Sequence, residues 1–301
     1  MINLKFLTLI IGSLFIFLYT LKVFRNLLEK NLNSSYKTII LKTTNNIHIS
    51  FILGLLLTTL LTSSSAITAI TISFLSAKII NKKSALAILL GANIGTTITP
   101  LLFSINITSY SFVLFLLSLL FYAFKKPFLS QIFVCTAVLF FSLLLLQDSL
   151  SNATSLISGF TYTSPILSFF EGILFSMLIN SSSTTIITSS ILYNINSISI
   201  YNALGIMLGA NVGTTINTII FIPKNNKECL DITLINITYN IIGSFFFLIF
   251  LDFFVILIYI FPKTFQISIA HIIFNISTTL ITYLILILTS KKTLTLNKHL
   301  W

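Results

Sequence analysis

Two short stretches, Leu61–Ser65 (LTSSS) and Ile179–Ser183 (INSSS), are copies of one pattern. A second pair, Gly91–Thr97 (GANIGTT) and Gly209–Thr215 (GANVGTT), recurs at the same offset of 118 residues. Gly54 also has a glycine 118 residues later. Several features in one register indicate an internal duplication, because chance rarely preserves spacing across separate motifs.

The chain around these motifs has the composition of a membrane protein. Of its 301 residues, 56% are hydrophobic and 8% are charged, and the mean hydropathy is +1.04. Runs of this kind cross a hydrocarbon layer of about 30 Å as helices. We predict seven spans, at Lys5–Leu21, Ala85–Ser104, Ser111–Phe124, Phe128–Leu146, Tyr201–Ile222, Ile232–Ile260 and Ile267–Ser290.

The net charge of +11 does not indicate a nucleic-acid partner, because the chain has one arginine and its lysines cluster between apolar segments. Such clusters follow the positive-inside rule. If the two hydroxyl-rich segments, His48–Ser76 and Ile166–Tyr193, are re-entrant hairpins, 15 of the 17 basic residues lie inside. The N-terminus is then outside, the C-terminus is cytoplasmic, and the hairpins enter from opposite faces.

The predicted fold is an all-α polytopic membrane protein with two inverted-topology repeats, each with a re-entrant helical hairpin and a broken transmembrane helix. Residues 1–47 form an N-terminal span and a basic cytoplasmic segment, and residues 48–147 form the first repeat. Residues 148–165 are an extracellular linker, and residues 166–301 form the second repeat with a short cytoplasmic tail.

Each hairpin tip carries a hydroxyl cluster just before its second half-helix. Serine, threonine and asparagine are preferred helix N-caps, and the first turn of a helix leaves backbone N–H groups free. Two such N-termini near the bilayer centre would favour binding of an anion, because each carries partial positive charge. The predicted substrate-binding residues here are Ser63, Ser64, Ser65, Ser181, Ser182 and Ser183.

The glycine motifs fall inside predicted spans, where glycine, asparagine and threonine would allow a helix to unwind and expose carbonyl oxygens. Oxygen atoms are the ligands that hard cations prefer. The alternative is close helix packing, because each motif contains a GxxxG pair. A serine-nucleophile enzyme is a further alternative, but His48, His271 and His299 lie far from the serine clusters in sequence.

The chain resembles the type II sodium-dependent phosphate cotransporter family, in which a QSSS cluster in each of two inverted repeats precedes a GANIGTT-like stretch. Gly91–Thr97 matches that stretch outright. A family His-x-x-Phe-Asn element is matched by His271, Phe274 and Asn275. A diverged earlier copy comprises Asn236, Tyr239, Asn240 and Gly243. The resemblance extends over residues 22–288.

The resemblance implies a phosphate site between the two serine clusters, with Asn180 as a further substrate-binding residue, and sodium sites beside it. The implied sodium-binding residues are Thr62, Asn93, Thr96, Thr97, Asn211, Thr214 and Thr215. Thr62 and Asn180 stand where the family has glutamine, which opens the alternative of another small oxyanion. Many bacterial relatives append a cytoplasmic regulator-like domain, which we do not expect in a sequence that ends at Trp301.

We therefore expect a sodium-coupled phosphate symporter of the plasma membrane that works by alternating access, and not an enzyme. Its expected partners are phosphate, sodium as the coupling ion, the lipid bilayer and possible further copies of itself. No other cofactor or metal is expected. The alternative outside transport is an inactive membrane scaffold.

Overall fold

The structure, a computed structural model, describes residues 4–43, 46–105, 111–152 and 164–298. These residues form helices and connecting turns, without a strand. The thirteen α-helices are α1 (Leu4–Thr43), α2 (Ile47–Leu61), α3 (Ser64–Ser76), α4 (Lys82–Gly95), α5 (Ile98–Ser104), α6 (Ser111–Ala123), α7 (Pro127–Asn152), α8 (Pro165–Ile179), α9 (Ser182–Asn194), α10 (Ile200–Asn217), α11 (Lys227–Ile249), α12 (Leu251–Ile258) and α13 (Lys263–Lys298). A 3-10 turn, Thr218–Phe221, follows α10.

Six helical segments in the described residues are long and apolar enough to cross a membrane. They are Leu7–Leu28, Lys82–Ser104, Pro127–Asn152, Ile200–Phe221, Lys227–Ile249 and Lys263–Leu288. The chain is thus an all-α, multi-pass membrane protein, as predicted. The seventh predicted span, Ser111–Phe124, corresponds to α6, an apolar helix of 13 residues that is shorter than these six segments and extends about 20 Å.

Two predicted segments differ in detail from the observed helices. The run Ile232–Ile260 is not one span, since α11 ends at Ile249 and α12 begins at Leu251. A helix over that whole run would be about 43 Å long, which exceeds the hydrocarbon thickness. The N-terminal span and the basic segment after it form one helix, α1. Most of the predicted linker, residues 153–163, lies outside the described residues.

The duplicated hairpins have matching helix bounds. Both ends of α2 and α3 lie 118 residues before the corresponding ends of α8 and α9. Each tip is closed by a residue in the left-handed conformation, Thr62 with φ 51° and Asn180 with φ 53°. Left-handed residues also follow the second helix of each pair, at Lys78 and Asn196. The repeated motifs therefore specify the same backbone twice, including its turns.

Glycines let α2 pack directly on α4, and α8 on α10. A Cβ atom at Gly91 would lie 1.9 Å from the Phe51 carbonyl oxygen, and one at Gly209 would lie 1.9 Å from the Phe169 carbonyl oxygen. From the opposite sides, Cβ atoms at Gly54 and Gly172 would lie 2.0 and 2.2 Å from backbone oxygens. The GxxxG alternative is therefore correct for these glycines.

The prediction of a helix broken at each glycine motif was wrong for the second motif, because α10 runs through Gly209–Thr215 without a break. In the first motif α4 ends at Gly95 and α5 begins at Ile98. The two residues between them, Thr96 and Thr97, keep right-handed helical dihedral angles, so the break is slight. The interruption coincides with Pro100, which has no N–H to donate to the carbonyl of Thr96 four residues earlier. The second repeat has Thr218 at that position, and its backbone N–H donates to the carbonyls of Thr215 and Ile216 where α10 passes into the 3-10 turn.

Contacts between loops and helix ends define two ends of the molecule. At the Lys82 end, the Lys82 ammonium lies 2.5 Å from the Asp231 carboxylate, and Asn226 donates to Ser76 at 3.3 Å. At the Lys263 end, the Lys263 ammonium donates to the Asn194 carbonyl at 3.2 Å and to the Asn196 side chain at 2.6 Å. Helix α3 thus ends at the Lys82 end and α9 ends at the Lys263 end.

Candidate functional site

Each hydroxyl cluster begins with a serine that caps a helix. The Ser63 hydroxyl oxygen accepts a hydrogen bond from the Ala66 amide at 3.2 Å, and that of Ser181 accepts one from the Thr184 amide at 3.3 Å. Both capping residues have extended backbone angles, as an N-cap requires. The first turns of α3 and α9 therefore start at the tips and present their remaining N–H groups there.

The two tips meet although they are far apart in sequence. The Ser65 hydroxyl donates to the Asn180 side-chain oxygen at 3.4 Å, and the Ser183 hydroxyl donates to the Thr96 carbonyl at 3.5 Å. They enclose a cavity of about 10 Å³, roughly the space of one water molecule. Its wall is formed by Arg25, Thr62, Ser63, Ser64, Ser65, Thr96, Asn180, Ser181, Ser182 and Ser183.

All seven residues predicted to bind substrate line this cavity. Ser63, Ser182 and Ser183 are each 5% exposed, whereas Ser64 and Ser65 are half-buried. Hydroxyl groups donate hydrogen bonds without carrying charge, and the helix N-termini add partial positive charge. The wall is thus suited to a small anion.

The sequence interpretation missed Arg25 as a residue of this site. It lies on α1, outside both motifs, and its charge was counted only toward membrane orientation. A sequence signal existed, because Arg25 falls inside the span Leu7–Leu28 and ionisable residues within spans commonly serve function.

Comparison with known proteins identifies the family of the chain. The family model described as Na+/Pi-cotransporter matches the chain twice, over residues 16–148 and 149–288. The chain belongs to the Na+/Pi-cotransporter family. Each match contains one hairpin and one glycine motif, so the family's unit is present in both halves of the chain.

One similar protein is "Uncharacterized protein YqeW" of Bacillus subtilis (strain 168). It is 25% identical over 202 residues, which cover 64% of this chain and 66% of that protein. The chain thus spans slightly less than two thirds of that relative. No solved structure gave a significant match.

Of the seven residues assigned to sodium, only Thr62 and Thr96 line the cavity. The Thr62 hydroxyl donates to the Leu61 carbonyl at 2.8 Å, and that of Thr96 donates to the Asn93 carbonyl at 2.6 Å. Further into the helices, hydroxyl groups also donate to carbonyls one turn earlier, at Thr97, Thr214 and Thr215. These side chains satisfy their own helices in this conformation.

Asn93 and Asn211 lie away from the cavity wall and join helices. The Asn93 amide donates to the Asn236 side-chain oxygen at 3.0 Å and also contacts the Tyr239 hydroxyl, both on α11. The Asn211 side-chain oxygen lies 3.1 Å from the His271 ring nitrogen Nε2 and 3.5 Å from the Asn275 amide, both on α13.

Each asparagine of the glycine motifs thus pairs with one copy of the His-x-x-Phe-Asn element. Since the partners belong to α11 and α13, this pairing ties both motifs to helices of the second half of the chain. The sequence carried both elements but gave no sign that they pair.

Proposed function

We propose that the protein is a sodium-coupled phosphate symporter that binds its anion between the N-termini of α3 and α9. The observation that carries this proposal is the convergence of two N-capped helices, one from each duplicated unit, on one hydroxyl-lined cavity. Such N-termini recur at the anion sites of transporters built from repeats. Membership of the Na+/Pi-cotransporter family supports phosphate and sodium as the transported ions.

The two repeats are proposed to have inverted topology. The contacts at the two ends of the molecule support this, because α3 runs from the cavity to the Lys82 end and α9 runs from the cavity to the Lys263 end. The positive-inside rule places the Lys82 end in the cytoplasm and the Lys263 end outside. We accordingly propose a plasma-membrane protein with its N-terminus outside and its C-terminus in the cytoplasm.

Transport is proposed to occur by alternating access, in which the tips separate on one side and then on the other. The size of the cavity supports a tip movement, since a space for one water does not admit phosphate. Sodium binding would favour the state that accepts the anion, because a ligand shifts an equilibrium by its difference in affinity for the two states.

For sodium we propose a site at the Thr96 carbonyl oxygen. Pro100 has no N–H to donate to that oxygen, so the oxygen lacks its usual hydrogen bond within the helix. It lies at the cavity wall, where the Ser183 hydroxyl contacts it. Thr62 is proposed to add a hydroxyl ligand. Asn93, Thr97, Asn211, Thr214 and Thr215 are proposed to act only after the helices rearrange, because their side chains bond elsewhere in this conformation.

A second candidate is symport of another small oxyanion. The observation that favours it is the presence of Thr62 and Asn180 where the family resemblance predicts glutamines. Their shorter side chains change the donors available at the tips. Uptake of sulfate, measured beside that of phosphate, separates the two candidates.

The deciding experiment is uptake of labelled phosphate into proteoliposomes that contain the purified protein, with and without an inward sodium gradient. We expect sodium-dependent uptake in the parental protein and a reduction of roughly ten-fold or more in Ser64→Ala and Ser182→Ala. Ser73→Ala is the matched control, because Ser73 lies on α3 but is exposed and donates to Ala69. Parental rates in both tip variants would place the anion site elsewhere.

A further inference from the structure

We propose that Arg25, on α1, is the charged ligand of the anion site. This inference rests on the proposed phosphate site and adds a residue from outside both hydroxyl clusters. Arg25 lines the same cavity as the two serine triplets, and the remaining lining residues carry hydroxyl or amide side chains. The full positive charge in this wall therefore comes from α1.

The chemistry of the arginine side chain suits the proposed substrate. A guanidinium group presents a planar fork of N–H donors that matches the oxygens of phosphate, and it stays charged at any physiological pH. Helix N-termini supply about half a charge each. Phosphate carries one to two negative charges near pH 7, so a full counter-charge complements the partial charges of the tips.

The position of Arg25 in its helix supports a role at the cavity. It lies three residues before the end of the span Leu7–Leu28, where a long basic side chain could instead extend to lipid headgroups. Its side chain is half-buried and faces the tips. Lys22, one turn earlier on α1, is exposed, so these two neighbouring basic residues lie on different surfaces of the helix.

Arg25 also departs from the internal duplication. The position 118 residues later is Leu143, which packs with Phe17 and Leu21 of α1 in an apolar cluster. The positive charge of Arg25 therefore has no counterpart in the second repeat, although the two hairpin tips themselves are duplicated. It would act on a single anion shared by both tips, and not on one anion in each repeat.

Arginine-specific modification tests the proposal on the parental protein. Because the sequence contains one arginine, phenylglyoxal applied to protein with an arginine-free tag labels Arg25, and mass spectrometry follows the adduct. With sodium present, we expect saturating phosphate to slow labelling at least ten-fold, and chloride of matched ionic strength to have little effect. Equal rates with phosphate and with chloride would overturn the proposal.

The same labelling separates free phosphate from a lipid phosphate. Protein in neutral phosphatidylcholine vesicles is compared with protein in vesicles that contain phosphatidylglycerol, each with and without phosphate. Protection by added phosphate in neutral vesicles supports the anion site. Protection that requires phosphatidylglycerol and ignores added phosphate would assign Arg25 to the membrane surface.

Variants provide a second measurement, in sodium-driven proteoliposome uptake. We expect Arg25→Gln to raise the half-saturating phosphate concentration ten-fold or more, and Arg25→Lys to raise it less, because lysine keeps the charge without the fork. The half-saturating sodium concentration should change little. Lys22→Gln, which removes one charge from the same helix, should retain the parental values. An Arg25→Gln protein with parental half-saturation and only a lower maximal rate would contradict the proposal.

Failure of this inference differs from failure of the proposed function. Parental phosphate transport with no effect of phosphate on Arg25 labelling removes only the assignment of Arg25. Absence of phosphate transport, combined with protection of Arg25 by sulfate, retains Arg25 as an anion ligand and removes phosphate as the substrate.

Discussion

The first hairpin, α2 and α3, and the second, α8 and α9, end in the same left-handed turn but satisfy it differently. Thr62 bonds to the carbonyl of its own neighbour, Leu61. Asn180 accepts from Ser65 across the cavity at 3.4 Å and from Asn217 on α10 at 3.4 Å. The Thr62 hydroxyl thus bonds within its own turn, whereas the Asn180 side chain bonds to residues of α3 and α10.

The same contrast extends along the second helices of the hairpins. In α9, Ser182, Ser183, Thr184 and Thr185 are all buried, whereas Ser64 and Ser65 in α3 are half-buried. The neighbouring helices differ too, since Pro100 has no N–H to donate, whereas the Thr218 N–H donates to the carbonyls of Thr215 and Ile216. Duplication therefore preserved the backbone and its turns, while the polar groups around the cavity diverged.

The largest expected effect concerns the glycines, where the two repeats behave alike. Gly91→Ala and Gly209→Ala each place a methyl group 1.9 Å from a backbone oxygen, which a packed helix pair cannot relieve without moving apart. We expect each to lower stability by about 3 kcal/mol or more. The thermal midpoint in detergent measures this. If one variant is tolerated, the two helix pairs are not equivalent.

Gly12→Ala is the matched control for these variants. Gly12 lies on α1, and a Cβ atom added there would meet nothing within 4 Å. The change should have little effect, or raise stability by about 0.5–1 kcal/mol, because alanine favours helix more than glycine does. A loss similar to that of Gly209→Ala would indicate that glycine flexibility, and not close packing, is required.

A cross-link between the tips should abolish transport. In a background with Cys135→Ala and Cys229→Ala, we expect Ser65→Cys and Asn180→Cys together to form a disulfide on mild oxidation, because the native side chains are 3.4 Å apart. Sodium-dependent phosphate uptake should cease and return on reduction. Each single-cysteine protein serves as a control. Full uptake by the oxidised pair would show that the tips need not separate.

Replacement of Pro100 tests the proposed sodium site in the first repeat. Pro100→Ala restores an N–H group that can bond to the Thr96 carbonyl, so the helix should gain stability and that oxygen should become a weaker ligand for a cation. We expect the half-saturating sodium concentration for phosphate uptake to rise several-fold. Thr218→Ala, at the matching position of the second repeat, should leave it unchanged. Unaltered sodium dependence in Pro100→Ala would exclude that oxygen.

The smallest expected effect concerns the residues at the two turns. Asparagine tolerates the left-handed conformation better than threonine, whose branched Cβ is crowded there. Thr62→Asn should therefore raise the free energy of unfolding by up to about 1 kcal/mol, and Asn180→Thr should lower it by more, since it also removes the bonds to Ser65 and Asn217. Equal and opposite changes would mean that those bonds contribute little.

Much of the fold was predictable from local patterns. The positions of both hairpins follow from the 118-residue repeat and from serines that cap helices, since a cap is a hydrogen bond between residues three apart. The single span over Ile232–Ile260 was predicted wrongly, because hydropathy marks apolar runs and not the points at which a helix bends or stops.

The sequence by itself determined that the chain folds in lipid and that two hydroxyl clusters open two of its helices. Only the tertiary structure decided that these clusters share one cavity, that Arg25 joins them, and that Asn93 and Asn211 bond to α11 and α13. Helix starts depend on neighbours within one turn, whereas these contacts join residues such as Ser65 and Asn180, 115 positions apart. The same glycines that a sequence pattern allows to unwind are held straight because their missing side chains let two backbones touch.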